Sequence, residues 1–96
     1  MLLDNLRGQR ARIEQIARRY GAEKVRVFGS VARGDERRDS DIDILVELPN
    51  GYDMFRQRLP LTRELSELTG RRIDLVPEHE LNPRFAERVK REAVAL

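Results

Sequence analysis

The sequence predicts an α/β (α+β) fold, a small mixed sheet of three or more strands with flanking helices in the order α-β-(turn)-β-α-β-α. Three observations carry this. Residues 24–28, 41–46 and 72–76 alternate apolar and polar side chains with the period of a strand. The segments around them space their apolar residues at helical intervals. The second and third strands are separated by a helical segment, which makes them parallel and joins them by a right-handed crossover.

The first helix is expected over residues 4–20. Leu6, Ile13, Ile16, Ala17 and Tyr20 share one face, while Arg7, Arg12, Glu14, Arg18 and Arg19 fall largely elsewhere. Asp4 is placed to cap its start and Gly21 to end it. Gly8 costs about 1 kcal/mol against alanine and loosens the early turns. In the first strand Val25 and Val27 face one side and Phe28 the other, and the strand stops at Gly29. Residues 30–33 suffice for a turn or a single helical turn, and residues 34–39 are a polar loop without an apolar side chain. In the second strand Ile42, Ile44 and Val46 take one face, so Asp41, Asp43 and Leu45 take the other.

Pro49-Asn50-Gly51 breaks that strand, and a helical pattern runs from about Asp53 through Phe55, Leu59, Leu65 and Leu68 to Gly70, kinked or divided at Pro60. The third strand sets Ile73 and Leu75 against Asp74 and Val76 and ends at Pro77. Asn82-Pro83 reads as a cap and first turn, with Phe85, Val89, Ala93 and Leu96 forming an amphipathic helix that runs to the C-terminus.

At 96 residues the chain makes one domain, residues 1–96, with a thin core and little room for a separate substrate lobe. Its 19 basic and 17 acidic residues leave a net charge of +2, a balanced surface that argues against direct nucleic-acid binding. There is no cysteine, hence no disulfide, thiolate metal site or cysteine nucleophile. With no signal-peptide pattern and no apolar run near the ~20 residues that cross a bilayer, a cytoplasmic protein without membrane contact is expected.

The acids need an explanation. Aspartate is depleted in strands, and like charges side by side on a sheet repel, so Asp41, Asp43 and Asp74 on a common face destabilise the fold unless something neutralises them. A divalent cation does so. Mg²⁺ takes hard oxygen ligands, typically one or two carboxylates with phosphates and water, and two such ions together support phosphoryl-type transfer. Gly29 and Ser30 supply a turn whose backbone and hydroxyl suit a nucleoside triphosphate, and Arg33 offers it a charge-assisted contact. The turn lacks the lysine of a P-loop. Taken singly, Gly29-Ser30 also fits an ordinary strand-ending turn and the aspartates also fit solvated surface positions. Their coincidence favours a site. His79, the only histidine, reads as a solvated loop residue, and Arg37-Arg38 as loop charges with an opportunity for phosphate contact.

Gly29-Ser30, the ten residues 31–40 and Asp41-Ile42-Asp43, with Ser40 before the first acid and a later strand bearing a third, resemble the minimal nucleotidyltransferase domains of the DNA polymerase beta superfamily. The resemblance covers nearly the whole chain. It implies the nucleotidyltransferase fold and two Mg²⁺ ions, with Asp41 and Asp43 binding both ions. Asp74 would bind the catalytic ion and help activate the acceptor hydroxyl, and Gly29 and Ser30 would hold the triphosphate. Small stand-alone members are typically encoded beside a HEPN-domain ribonuclease toxin and neutralise it as antitoxins by transferring AMP to it. The expected function is therefore an adenylyltransferase using ATP, with a HEPN toxin as acceptor. The alternatives are an antitoxin acting by stoichiometric binding alone, or nucleotide transfer to RNA or a small molecule.

Overall fold

Alternating valine and isoleucine draw three strands into one sheet, and a fourth strand joins its edge. The computed structural model describes residues Met1–Leu96. It contains β1 (Glu23–Phe28), β2 (Ile42–Glu47), β3 (Ile73–Pro77) and β4 (Val94–Ala95) in the order β3-β2-β1-β4. β1 is antiparallel to both β2 and β4, and β2 is parallel to β3. The parallel pairing expected of strands joined through a helix is thus present, and the mixed sheet with flanking helices is the predicted class.

The helices are α1 (Leu2–Gly8), α2 (Arg10–Arg19), α3 (Gly29–Arg33), α4 (Leu59–Thr69) and α5 (Pro83–Glu92). A π-helical turn, Met54–Arg58, runs directly into α4. The core fills one side of the sheet. Val25 and Val27 of β1, Ile42, Ile44 and Val46 of β2, and Ile73 and Leu75 of β3 pack against Leu6, Ile13, Ile16 and Ala17 of the N-terminal helices and Leu61 and Leu65 of α4. Each valine, leucine and isoleucine among them contributes about 1.5–3 kcal/mol on burial. The opposite side, where period two puts Asp43, Leu45 and Asp74, carries little apolar surface; Leu45 is buried but lies outside the main cluster.

The structure revises four expectations. The first helix is two helices: Gln9 leaves helical geometry at φ −104°, ψ 13°, directly after the weak helix former Gly8. Asp4 does not cap it, because helix begins at Leu2 and Asp4 lies inside the first turn, where its charge favours the macrodipole. In the 53–70 segment, Leu61 and Leu65 are buried whereas Phe55 and Leu59 are 80% and 49% exposed, because the π-helical turn rotates the residues before Pro60 off the register of α4. The last helix stops at Glu92. Ala93 turns extended (φ −64°, ψ 136°), and Val94 and Ala95 pair with Val27 and Arg26 on the free edge of β1. An open edge offers ladder hydrogen bonds that further helical turns, with no residue of α5 buried, do not match.

No helix is long and apolar enough to cross a membrane.

Candidate active site

Phe28, the last residue of β1, pairs with Asp43 of β2, and Asp43 pairs on its other side with Asp74 of β3. One row across three strands therefore runs Phe28, Asp43, Asp74, and the chain leaves it at Gly29. Gly29 sits at φ +69°, and a Cβ there would stand 3.1 Å from Asp43 Cγ and nearer still to Oδ2. Both the backbone angle and the space exclude a side chain, so glycine is what lets the turn descend onto the carboxylate.

The Asp43 carboxyl is raised from 3.8 to about 6, first by burial, then by the charge and hydrogen bond of Asp74 and the charge of Asp41, with the Arg33 guanidinium opposing. The like charges of Asp74 and Asp41 thus add to burial in favouring the protonated form of Asp43. Asp41 lies just before β2 and is turned outward, its Oδ1 3.1 Å from Arg72 Nε. Of the three acids singled out in the sequence, Asp43 and Asp74 are cross-strand neighbours, and Asp41 is held aside by an exposed ion pair of the kind worth under about 1 kcal/mol. As the side chains stand, no three acidic or histidine groups converge on one point. All three nevertheless offer the hard oxygen donors that suit Mg²⁺, and the crowding at Asp43 is the repulsion a cation relieves.

The turn continues as α3, with Ser30 its second residue. Gly34 closes it in the left-handed conformation, with the Asp35 amide donating to the Ser30 carbonyl at 3.0 Å. Arg33 Nε donates to Asp35 Oδ2 at 3.2 Å, and Arg33 Nη1 donates to Glu92 Oε1 at 2.9 Å. The same Glu92 oxygen accepts from the Gly29 amide at 2.7 Å. Nothing in the sequence marks Glu92 apart from Glu87 on the same helix, because its role depends on where α5 ends against β1. The loop into Asp41 is pinned by Arg71, whose Nη1 donates to the carbonyls of Arg37 and Ser40 at 3.1 and 3.3 Å, while the Ser40 hydroxyl accepts from the Arg37 amide at 2.8 Å. The Arg37 and Arg38 side chains are exposed. His79 is exposed in a short turn, its ring 6.0 Å from that of Tyr52. A cleft of about 570 Å³ between α2 and the β1/β4 edge, lined by Arg10, Ala17, Lys24 and Ala95, contains none of the aspartates. Asp43 and Asp74 lie on the side of the sheet away from the main core.

The chain matches the model of the nucleotidyltransferase domain over residues 10–96. The protein adenylyltransferase MntA of Thermococcus cleftensis is 36% identical over 81 residues, covering 84% of this chain and 81% of that protein. A solved structure described as a minimal nucleotidyltransferase superposes with a TM-score of 0.86 at 45% identity, covering all of this chain (100%) and 97% of the other. A crystal structure of a toxin-antitoxin with AMP-PNP shares the fold, with a TM-score of 0.74 at 24% identity over 90% of this chain and 70% of that one.

Proposed function

The chain belongs to the nucleotidyltransferase domain family, and from that premise we propose that it is a Mg²⁺-dependent protein adenylyltransferase that acts as the antitoxin of a HEPN-domain ribonuclease toxin. The observation that carries the proposal is the register of Asp43 beside Asp74, one residue from a glycine turn that rests on Asp43. A relative named protein adenylyltransferase supports the choice of reaction, and the toxin-antitoxin of the same fold, with its ATP analogue, supports the choice of donor and partner.

In this reading Asp41, Asp43 and Asp74 would hold two Mg²⁺ ions, and that pair would supply charge neutralisation for the triphosphate and for the oxygens of the transfer. Gly29 and Ser30 carry the triphosphate, with Arg33 beside them. The acceptor hydroxyl oxygen of the toxin bonds to the α-phosphorus, the bond from that phosphorus to the pyrophosphate oxygen breaks, and pyrophosphate leaves. Asp74, the most open of the row, takes the hydroxyl proton. Mg²⁺ would compete with the proton held by the Asp43 carboxyl, so loading is favoured above about pH 6.

The test is labelled ATP and Mg²⁺ incubated with the purified protein and its toxin. The toxin becomes labelled, and Asp41→Ala or Asp43→Ala abolishes the label. Labelling by these variants equal to that of the unaltered chain defeats the catalytic assignment. Rescue of toxin-expressing cells by the Asp41→Ala, Asp43→Ala double variant would instead favour stoichiometric binding.

A further inference from the structure

The geometry points to Glu92 as a carboxylate that occupies the phosphate turn before nucleotide arrives and competes with the triphosphate for it. This rests on the nucleotidyltransferase reading above and adds to it a residue and a movement.

A single oxygen, Glu92 Oε1, accepts from the Gly29 amide at 2.7 Å and from Arg33 Nη1 at 2.9 Å. Those two donors are the ones assigned to an incoming phosphate. The Gly29 amide is the first of α3, without a partner inside its own helix, so in the free chain it takes the nearest anion. A phosphate oxygen is the same kind of acceptor with more charge behind it. Both cannot occupy the donors together, and a carboxylate left beside a triphosphate is repelled by it.

The residue is also placed to leave. Glu92 is the last residue of α5, a helix with no buried side chain, and Ala93 beyond it is already extended. The following β4 is two residues long; it pairs with β1 at Arg26 and Val27, the Ala95 carbonyl accepts from Arg7 Nη2 at 3.3 Å, and Val94 and Leu96 are partly buried against the core. Beyond Glu92 itself, α5 is tied down by Lys90 Nζ, 3.5 Å from Glu78 Oε1, an exposed pair of small worth. The last turn of α5, a helix without a buried residue, therefore opens at low cost. Nucleotide binding therefore frees Glu92 and loosens the end of α5 with β4.

Binding of AMP-PNP in MgCl₂ to the unaltered chain and to Glu92→Gln, by calorimetry, tests this. Glutamine keeps the shape and an acceptor oxygen but lacks the charge, so Kd falls by about fivefold or more. Hydrogen exchange on the unaltered chain gives a second readout: AMP-PNP speeds exchange at residues 92–95. An unchanged or weaker affinity of E92Q, or protection of residues 92–95 by nucleotide, overturns the inference while leaving the nucleotidyltransferase reading intact. If E92Q does not fold, the exchange result on the unaltered chain decides. Absence of AMP-PNP binding by both chains overturns the nucleotidyltransferase reading and this inference with it.

Discussion

Asp43 is pressed from three sides: the Gly29 backbone above it, Asp74 beside it and Asp41 two positions back. Its carboxyl titrates near 6 in the folded chain against 3.8 without the fold. Because the folded value is the higher one, the proton contributes stability that is fully present below about 3.8 and is lost as pH rises through about 6. Asn at this position keeps a hydrogen-bonding group and does not titrate. In metal-free buffer, the urea stability of the unaltered chain relative to Asp43→Asn is therefore expected to fall by about 1 kcal/mol between pH 4.5 and pH 7, the shift being discounted because the carboxylate is only half-buried. A difference that does not vary with pH would show that Asp43 is not crowded. The two aspartates were legible in the sequence by type and spacing. Which of them meets Asp74 was not, because side-chain direction at Asp41 is set by Arg72, a residue far along the chain.

Element boundaries were legible where a single residue type dictates them. Asn82 caps α5, its Oδ1 accepting from the Arg84 amide at 2.9 Å, and Pro83 follows in the first turn. Gly70 ends α4 in the left-handed conformation. Asp53 accepts from the amides of Phe55 and Arg56 at 2.9 and 3.0 Å and so starts the π-helical turn. Asp53→Ala is expected to cost about 1 kcal/mol and to lower Tm by about 4–8 °C for a chain of this length, read by circular dichroism; no loss would mean that the turn is held by packing alone. Boundaries set by competition were not legible. Residues 93–96 continue a helical apolar pattern, yet β1 has a free edge, and the ladder takes Val94 and Ala95. Likewise the helical face counted through Phe55 and Leu59 fails because Pro60 forces a change of helix type before it.

At the scale of the whole molecule, the sheet divides the labour. One side buries the aliphatic residues that hold the fold, and the other gathers negative charge at the row of Asp43 and Asp74. The parallel crossover through α4 is what brings β3 beside β2, so the site exists only when the fold is complete. Binding of Mg²⁺ to that side should raise Tm, since a ligand held only by the folded state stabilises it by about 2.7 kcal/mol at a hundredfold excess over Kd. Scanning calorimetry at pH 7.5 is expected to show the rise in MgCl₂, its reversal by EDTA, and its absence in the Asp43→Asn, Asp74→Asn double variant. An equal rise in the double variant would place the cation elsewhere.

The class of the fold, the face each strand residue takes and the residue types at the turn are written in local pattern, because period two, Gly, Pro and Asn act over a few residues. That Asp43 and not Asp41 is the neighbour of Asp74, that residues 94–95 form a strand, and that Glu92 sits on the Gly29 amide came from packing between distant parts of the chain. Each of those depends on a partner between 31 and 63 residues away, or on an open edge that exists only once the sheet has formed, and no local pattern encodes such a meeting.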